Sequence, residues 1–164
     1  EWIMGDVESV FAKATTALAE IEAEDTAVAV LKFRNGALGL IEATTATRPK
    51  DLEGSVSILG EFGSVEIGGF AANELKTWNF SETLIEDENI IENYRKNPQN
   101  KYGFGHQSYY EHVVDCIDNE KAQLVDGLQG RKSLKLINAI YESIETGKEV
   151  FLRFTPKYSK LGRL

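Results

Sequence analysis

A polar cluster, Thr47-Arg48-Pro49-Lys50-Asp51, follows a run of apolar and threonine residues and is the best candidate for a binding site. Arg48 carries a planar fork of donors and Lys50 a point charge, so together they can hold a phosphate or a carboxylate. The proline between them stiffens the chain. The same charges also fit a solvated loop, in which they balance Asp51 and Glu53. The spacing alone slightly favours the solvated loop and leaves the anion site open.

The two histidines and the single cysteine are the other side chains with reactive chemistry. His106 ends a glycine-rich loop just before a predicted helix, where its titrating ring can contact a ligand, although the sequence is equally consistent with no binding role. His112 is predicted to lie on the surface. The two histidines do not share a helix face, and no carboxylate completes a recognisable metal site with them. Cys116 falls in the apolar band of a predicted helix, where cysteines are mostly inert.

Known catalytic motifs are missing from the sequence. There is no G-x-G-x-x-G after a predicted strand, no phosphate-binding P-loop, no H-E-x-x-H and no G-x-S-x-G. Gly103-Phe104-Gly105 follows a loop rather than a strand, and no third glycine completes a dinucleotide fingerprint. The residues alone therefore indicate a sheet-and-helix domain without a catalytic apparatus.

Length, composition and charge define the kind of chain that must position these residues. The 164 residues, 42% hydrophobic and 27% charged, suit one globular domain over 1–164. The net charge of −8 argues against generic binding to nucleic acid or anionic membranes, and no apolar run is long enough for a bilayer span. A single cysteine excludes an internal disulfide and fits a reducing cytoplasm.

The first five residues are typical of the last turn of a helix, with Gly5 in the left-handed conformation that ends it. This interpretation implies that an upstream helix, and whatever precedes it, is missing from the sequence. An extended arm with an unrelated glycine is the alternative.

A β-hairpin is predicted over 25–34 and 37–46, with Asn35-Gly36 as a two-residue turn. This turn sets a register that places Phe33 opposite Leu38, Leu31 opposite Leu40, Val30 opposite Ile41 and Val28 opposite Ala43. Apolar residues then oppose apolar residues on both sides of the hairpin. Both faces are therefore predicted to be covered.

Further strands and two helices complete the predicted fold. Alternation predicts strands over 8–18, 55–59, 64–67, 74–80 and 149–154, and 81–105 is predicted to be a long, partly solvated excursion with an acidic run. One helix is predicted from Ser108 and another from Gly127 to Thr146, with Asp126 as N-cap and Gly147 after the last turn. The predicted apolar stripes are Tyr110, Val113, Val114 and Ile117, then Leu134, Ile137, Ile140, Tyr141 and Ile144. The order favours an α+β fold, a mainly antiparallel open-faced sheet with helices packed on one face and the other face free for a partner.

Three strings together resemble one protein family: Ala43 to Pro49, Leu59 to Ile67, and Asp126 to Val150. They are similar to the C-terminal domain of the glucose-fructose oxidoreductase and inositol dehydrogenase family, and the resemblance covers nearly the whole chain. The last string is the most specific to the family. The first string and Tyr102 to Gln107 look closest to a branch that oxidises UDP-N-acetylhexosaminuronates at the C3 hydroxyl during bacterial surface-polysaccharide synthesis.

The resemblance implies a two-domain enzyme. In the family, an N-terminal Rossmann domain binds NAD, and a C-terminal α+β domain shapes the sugar site and builds a homo-oligomer, here expected to be a dimer or tetramer through the open sheet face. The family's catalytic Lys, in a Glu-Lys-Pro motif, and its catalytic His are not found in this sequence, so the isolated chain is expected to be inactive. The candidate ligands of phosphate or carboxylate are Thr47, Arg48 and Lys50, with Tyr102 and His106 as loop contacts. The resemblance strengthens this hypothesis for Arg48 and supplies no individual role for the other four residues.

Two other hypotheses stay open. A non-catalytic binding or scaffold module would use the open sheet face for a protein partner. An independent small enzyme would need an acid–base constellation, which the sequence does not show.

Overall fold

The computed structural model describes residues 1–70, 72–82, 89–95, 98 and 103–153 of the chain. Seven strands and three helices lie in these ranges: β1 (Val7–Thr15), β2 (Thr26–Phe33), β3 (Leu38–Thr44), β4 (Val56–Leu59), β5 (Gly63–Gly68), β6 (Glu74–Phe80), α1 (Ile90–Asn93), α2 (Gly105–Asp118), α3 (Gly127–Thr146) and β7 (Val150–Phe151). Every pairing between these strands is antiparallel. The α+β prediction is confirmed.

The strands form two sheets in two compact units. The first unit, Glu1–Thr47 with Leu124–Leu164, contains the sheet β3-β2-β1-β7 and α3. The second unit, Arg48–Gln123, contains the sheet β4-β5-β6, α1 and α2. No helix in the described ranges is long and apolar enough to cross a membrane.

The core of the first unit lies between α3 and one face of the sheet. It contains Val7, Val10, Ala12, Ala29, Leu31, Phe33, Ala139, Val150 and Leu152. On α3 the fully buried residues are Ala139 and Ser143, whereas Leu134 and Ile137 of the predicted stripe are about half exposed. Small residues lie where the helix is closest to the sheet, so the apolar stripe marks the flanks of the contact rather than its centre.

The β2–β3 hairpin is confirmed, but its predicted register is wrong by one residue. Val30 pairs with Leu40 and Val28 with Glu42. The Phe33 N–H donates to the carbonyl of Ala37 at 2.9 Å, which closes a loop of three residues rather than two. Its last residue, Gly36, has a left-handed φ of 90°. A three-residue loop that ends in this conformation is a common alternative to the two-residue turn.

The prediction that both faces of this hairpin are covered is also wrong. Leu31 and Phe33 are buried beneath α3, but the opposite face is open. Its apolar side chains are exposed by 41% at Val28, 49% at Val30 and 68% at Leu40. The sheet therefore has one covered and one open face, as the predicted fold class requires.

In the second unit, β4 and β5 correspond to the predicted strands over 55–59 and 64–67, and they form a hairpin. Gly60 donates to the carbonyl of Gly63 at 2.8 Å, so Glu61 and Phe62 form a two-residue loop between β4 and β5. On β6, the rings of Trp78 and Phe80 lie on one face with their centroids 5.0 Å apart. The short helix α1 lies within the stretch predicted as a loop. Most of the predicted acidic run lies outside the described residues.

Both predicted ends of the second helix, α3, are confirmed. The first predicted helix, α2, differs from its prediction. Asp126 accepts the Gln129 N–H at 2.9 Å, and Gly147 ends α3 with a φ of 66°. However, α2 begins at Gly105 instead of Ser108, and Cys116 is its buried residue. Tyr110, Val114 and Ile117 of the predicted stripe are exposed by 65%, 55% and 70%.

Two further predictions concern Gly5, near the start of the described region, and the last strand, near its end. Gly5 is left-handed, with a φ of 84°, and its N–H donates to the carbonyl of Glu1 at 2.8 Å. The left-handed prediction for Gly5 is therefore confirmed. The last strand is shorter than predicted, although Val150 and Leu152 are buried together as expected. Phe154 lies outside the described residues.

Candidate functional site

The predicted anion-binding cluster begins just after β3, in a segment that backbone hydrogen bonds hold in place. The Thr45 N–H donates to the carbonyl of Asp25 at 2.8 Å. The Ala46 N–H donates to the hydroxyl of Thr44 at 2.9 Å, as in a threonine turn. Thr47 follows and is half-buried. The chain is therefore fixed on the sheet up to the residue before Arg48.

The basic side chains of the cluster face solvent. Arg48 and Lys50 are both exposed, and the peptide bond between Arg48 and Pro49 is cis. An exposed guanidinium can meet an incoming phosphate or carboxylate in two parallel hydrogen bonds. This exposure is compatible with the anion site as well as with a solvated loop.

Glu53, which the solvated-loop interpretation used to balance the basic pair, bonds elsewhere. Its Oε2 accepts hydrogen bonds from Lys76 Nζ at 2.6 Å and from the Gly69 N–H at 3.1 Å. These donors, with Lys76 the larger contributor, lower the pKa of Glu53, and the same bond raises the pKa of Lys76. Lys76 is a partner that the sequence did not indicate.

The four predicted site residues that lie in the described ranges are distributed over both units. Thr47 belongs to the first unit, and Arg48, Lys50 and His106 belong to the second. Arg48 and Lys50 stay near each other because they are neighbours in the chain. His106 lies in the first turn of α2 and is exposed, so its placement in a loop was wrong. Tyr102 lies outside the described residues.

Asp25 is the functional candidate that sequence reasoning missed. Its Oδ2 accepts the N–H groups of Ala17 at 3.0 Å, Leu18 at 2.6 Å and Ala19 at 2.9 Å. These bonds, that from Ala19 first, lower its pKa from 3.8 to about 2, so the buried carboxylate is ionised at neutral pH. An aspartate at the end of a polar loop and directly before a β-branched strand was the available signal.

Other titratable pairs lie away from the cluster in the sequence. His112 is half-buried, not a surface residue as predicted, and its Nε2 lies 3.5 Å from Cys116 Sγ. Tyr141 donates to Glu24 Oε1 at 3.1 Å, and burial together with this carboxylate raises the pKa of the phenol. Neither pair includes a predicted site residue.

A shallow groove of about 460 Å³ lies on α2. It is lined by Tyr110, Glu111, Val114, Asp115, Asp118 and Asn119. Three carboxylates would repel an anionic ligand, so the groove does not compete with the basic cluster as an anion site.

The strand pairing of the described residues differs from that of dinucleotide-binding folds. Dinucleotide-binding folds use parallel strands joined by helices, with a glycine-rich turn at the first helix. The described strands pair only in antiparallel fashion. What this part of the chain offers instead is an open sheet face and an exposed basic cluster.

The described part of the chain combines antiparallel sheets with α-helices, which is an α+β architecture. Residues 1–152 match the family model described as the oxidoreductase family, C-terminal alpha/beta domain. The chain belongs to this family. A search of curated proteins gave no match.

Two solved structures are similar to the chain over nearly its full length. The WlbA dehydrogenase from Bordetella pertussis, in complex with NADH and UDP-GlcNAcA, is 42% identical with a TM-score of 0.84, covering 94% of this chain and 44% of that chain. The WlbA dehydrogenase from Chromobacterium violaceum, in complex with the same two ligands, is 43% identical with a TM-score of 0.81, covering 96% and 43%. The chain thus spans less than half the length of these relatives.

A more distant structure shares the fold alone. An oxidoreductase from Agrobacterium radiobacter, in complex with NAD+, L-tartaric acid and magnesium, is 20% identical with a TM-score of 0.67. It covers 92% of this chain and 45% of that chain.

Proposed function

We propose that residues 1–164 form the single substrate-binding and oligomerisation domain of an NAD-dependent dehydrogenase. The proposed enzyme oxidises a secondary hydroxyl of a UDP-N-acetylhexosaminuronate during bacterial surface-polysaccharide synthesis, in the cytoplasm. The supporting observation is the 42–43% identity to two dehydrogenases in complex with NADH and UDP-GlcNAcA. The isolated chain is proposed to bind the sugar nucleotide without turnover.

The proposed substrate carries a diphosphate and a carboxylate, which are the groups that the basic cluster suits. Arg48 would bind one of them through its fork of donors, and Lys50 would add a point charge. Thr47 would contribute a hydroxyl. His106 and Tyr102 are proposed as additional contacts. The net charge of −8 does not oppose such binding, because charges at contact distance outweigh distant, screened ones.

NAD would supply the hydride acceptor of the proposed reaction, from a part of the enzyme outside this chain. The role of the present residues is to bind and orient the sugar nucleotide. A fixed substrate raises the rate because the reacting carbon is held in position.

Binding of UDP-GlcNAcA by titration calorimetry tests this proposal. Arg48→Ala should weaken binding by about tenfold or more, since a charged hydrogen-bond donor is lost. Arg34→Ala is the matched control, because Arg34 is also exposed but lies in the loop at the other end of the hairpin. Equal affinities of the wild type and Arg48→Ala would contradict the proposed site.

The open sheet face is the proposed surface of self-association. Phe11, Val30 and Leu40 lie side by side across three strands, and all are exposed. An apolar face of this kind is usually covered by a partner. A second copy is the proposed occupant, because the charges on this face are self-complementary.

The charged residues lie in the neighbouring row of paired residues on this face. Lys13 pairs with Val28, and Val28 pairs with Glu42, so the basic and acidic side chains flank β2 on opposite sides. A two-fold axis along β2 would place Lys13 of one copy against Glu42 of the other, and Phe11 against Leu40. In such an isologous contact each complementary pair forms twice.

A non-catalytic scaffold module remains the second candidate function, because the same apolar face could bind a different protein. The two candidates differ in solution. The dehydrogenase domain should self-associate and bind the sugar nucleotide, whereas a scaffold module should be monomeric and should not bind it.

A further inference from the structure

Asp25 connects two segments of the first unit through two different groups. Its carboxylate holds the β1–β2 loop by three N–H groups, at Ala17, Leu18 and Ala19. Its backbone carbonyl accepts the Thr45 N–H at 2.8 Å, just after β3. One residue therefore ties the loop between the first two strands to the segment that leads into Thr47.

The burial of Asp25 makes this connection rigid. Its side chain is 2% exposed. A buried carboxylate is costly unless donors satisfy it; here three N–H groups converge on Oδ2, whereas Oδ1 is buried without a hydrogen-bond partner among the described residues. Hydrogen bonds to a charged acceptor are stronger than neutral ones. The carboxylate therefore holds the β1–β2 loop against Asp25, whose own backbone carbonyl accepts the Thr45 N–H.

We propose that Asp25 is a positioning residue of the sugar-nucleotide site, which acts by fixing Thr45 and so presents the hydroxyl of Thr47 to the ligand. This inference rests on the proposed function, in which Thr47 contacts a phosphate or carboxylate. A ligand group that is already held in place loses less conformational freedom on binding, so its contact contributes more to affinity.

A double-mutant cycle with UDP-GlcNAcA as the titrant tests the proposal. Asp25→Asn keeps the shape of the side chain but removes its charge, and Thr47→Val keeps the shape of Thr47 but removes the hydroxyl. Asp25→Asn should weaken binding by about five- to tenfold, and it should have little further effect in the Thr47→Val background. Amide hydrogen exchange at Thr45 should also be faster in Asp25→Asn than in the wild type.

Ser143→Ala is the matched control for stability. Ser143 is also a fully buried anchor of the first unit, but it bonds to Ala12 and Lys148 rather than to the segment after β3. This variant should be less stable yet bind UDP-GlcNAcA as the wild type does. If Asp25→Asn does not fold, Ala19→Pro takes its place in the cycle, because it removes one donor and keeps the carboxylate.

The outcomes separate the inference from the function on which it rests. Wild-type affinity in Asp25→Asn, or losses that add in the double variant, would overturn the positioning role while Thr47→Val and Arg48→Ala still support the site. Wild-type affinity in both Thr47→Val and Arg48→Ala, or no binding by the wild type, would overturn the proposed site and the inference with it.

Discussion

The hydroxyl of Ser143 accepts the backbone N–H of Ala12 at 2.9 Å, which ties α3 to an inner strand of the first unit's sheet. The same hydroxyl donates to the carbonyl of Lys148 at 2.7 Å, just before β7. Ser143 has no exposed surface. A single small side chain thus joins the helix, the strand and the turn between α3 and β7.

Ser143→Ala should reduce the free energy of unfolding by about 1–3 kcal/mol, because it leaves a buried N–H and a buried carbonyl without this partner. Urea unfolding followed by circular dichroism measures the change. Ser133→Ala is the control, since Ser133 lies on the same helix and is exposed. An equal effect of both substitutions would contradict the role given to the Ser143 hydroxyl.

The stability of the first unit should fall as the solution is acidified from about pH 4 to about pH 2. Folding lowers the pKa of Asp25 from 3.8 to about 2, so its contribution is complete above the ordinary value and is lost as the pH falls through the folded value. Asp25→Asn removes this titration. The wild type should therefore lose more stability over this range than the variant, in urea unfolding at several pH values. Parallel pH profiles would contradict the prediction.

Gly63→Ala should destabilise the β4–β5–β6 sheet by about 1–3 kcal/mol, an overpacking cost. A Cβ on Gly63 would lie 2.4 Å from the backbone oxygen of Asn79 and 2.4 Å from the ring of Phe80. On Gly60 it would lie 3.4 Å from the nearest atom, so Gly60→Ala is the tolerated control. Thermal unfolding followed by Trp78 fluorescence should separate the two variants, and equal midpoints would contradict the packing argument.

Reversing one charge on the open sheet face should weaken self-association, and reversing both charges should restore it. Lys13→Glu and Glu42→Lys should each weaken it by about tenfold or more, because like charges then oppose each other twice in the proposed contact. A mixture of the two variants, or the double variant, should restore it. Light scattering at two salt concentrations measures the mass.

Unchanged association in both single variants would contradict the proposed two-fold axis. A Leu40→Asp variant provides the matched test of the face itself, since it places a charge among the exposed apolar residues without changing the Lys13 and Glu42 pattern. A monomeric wild type would contradict self-association altogether.

The element types were largely predictable from the sequence because hydrophobic periodicity and turn residues determine them locally. The register of the β2–β3 hairpin was not, since Asn35-Gly36 suits both a two-residue turn and a longer loop that ends at Gly36. A register shift between Val7 and Ser9 of β1 is similarly hidden, and it allows both Val7 and Val10 to be buried. Such irregularities depend on the partner strand, which periodicity does not describe.

The candidate site was predictable only where single residues carry the chemistry. Arg48 and Lys50 stand out by charge and lie exposed after β3. Asp25 was not recognised, because its importance depends on N–H groups that converge only after the β1–β2 loop is folded. His106 was assigned to a loop because α2 begins without a capping side chain in its first turn.

The first unit is built from two segments of the sequence that are separated by the second unit, and this affects how the chain folds during synthesis. The pairing of Val10 with Val150 joins β1 to β7, and the whole second unit lies between these strands in the sequence. During synthesis, β1 can therefore pair with β7 only after residues 48–123 have left the ribosome. During that interval the apolar side chains of β2 that belong to the core with α3, such as Leu31 and Phe33, are left uncovered. The second unit, continuous in sequence, needs no such delay. A released fragment that ends before Leu124 should therefore be a substrate for chaperones, and one that ends after Leu152 should not.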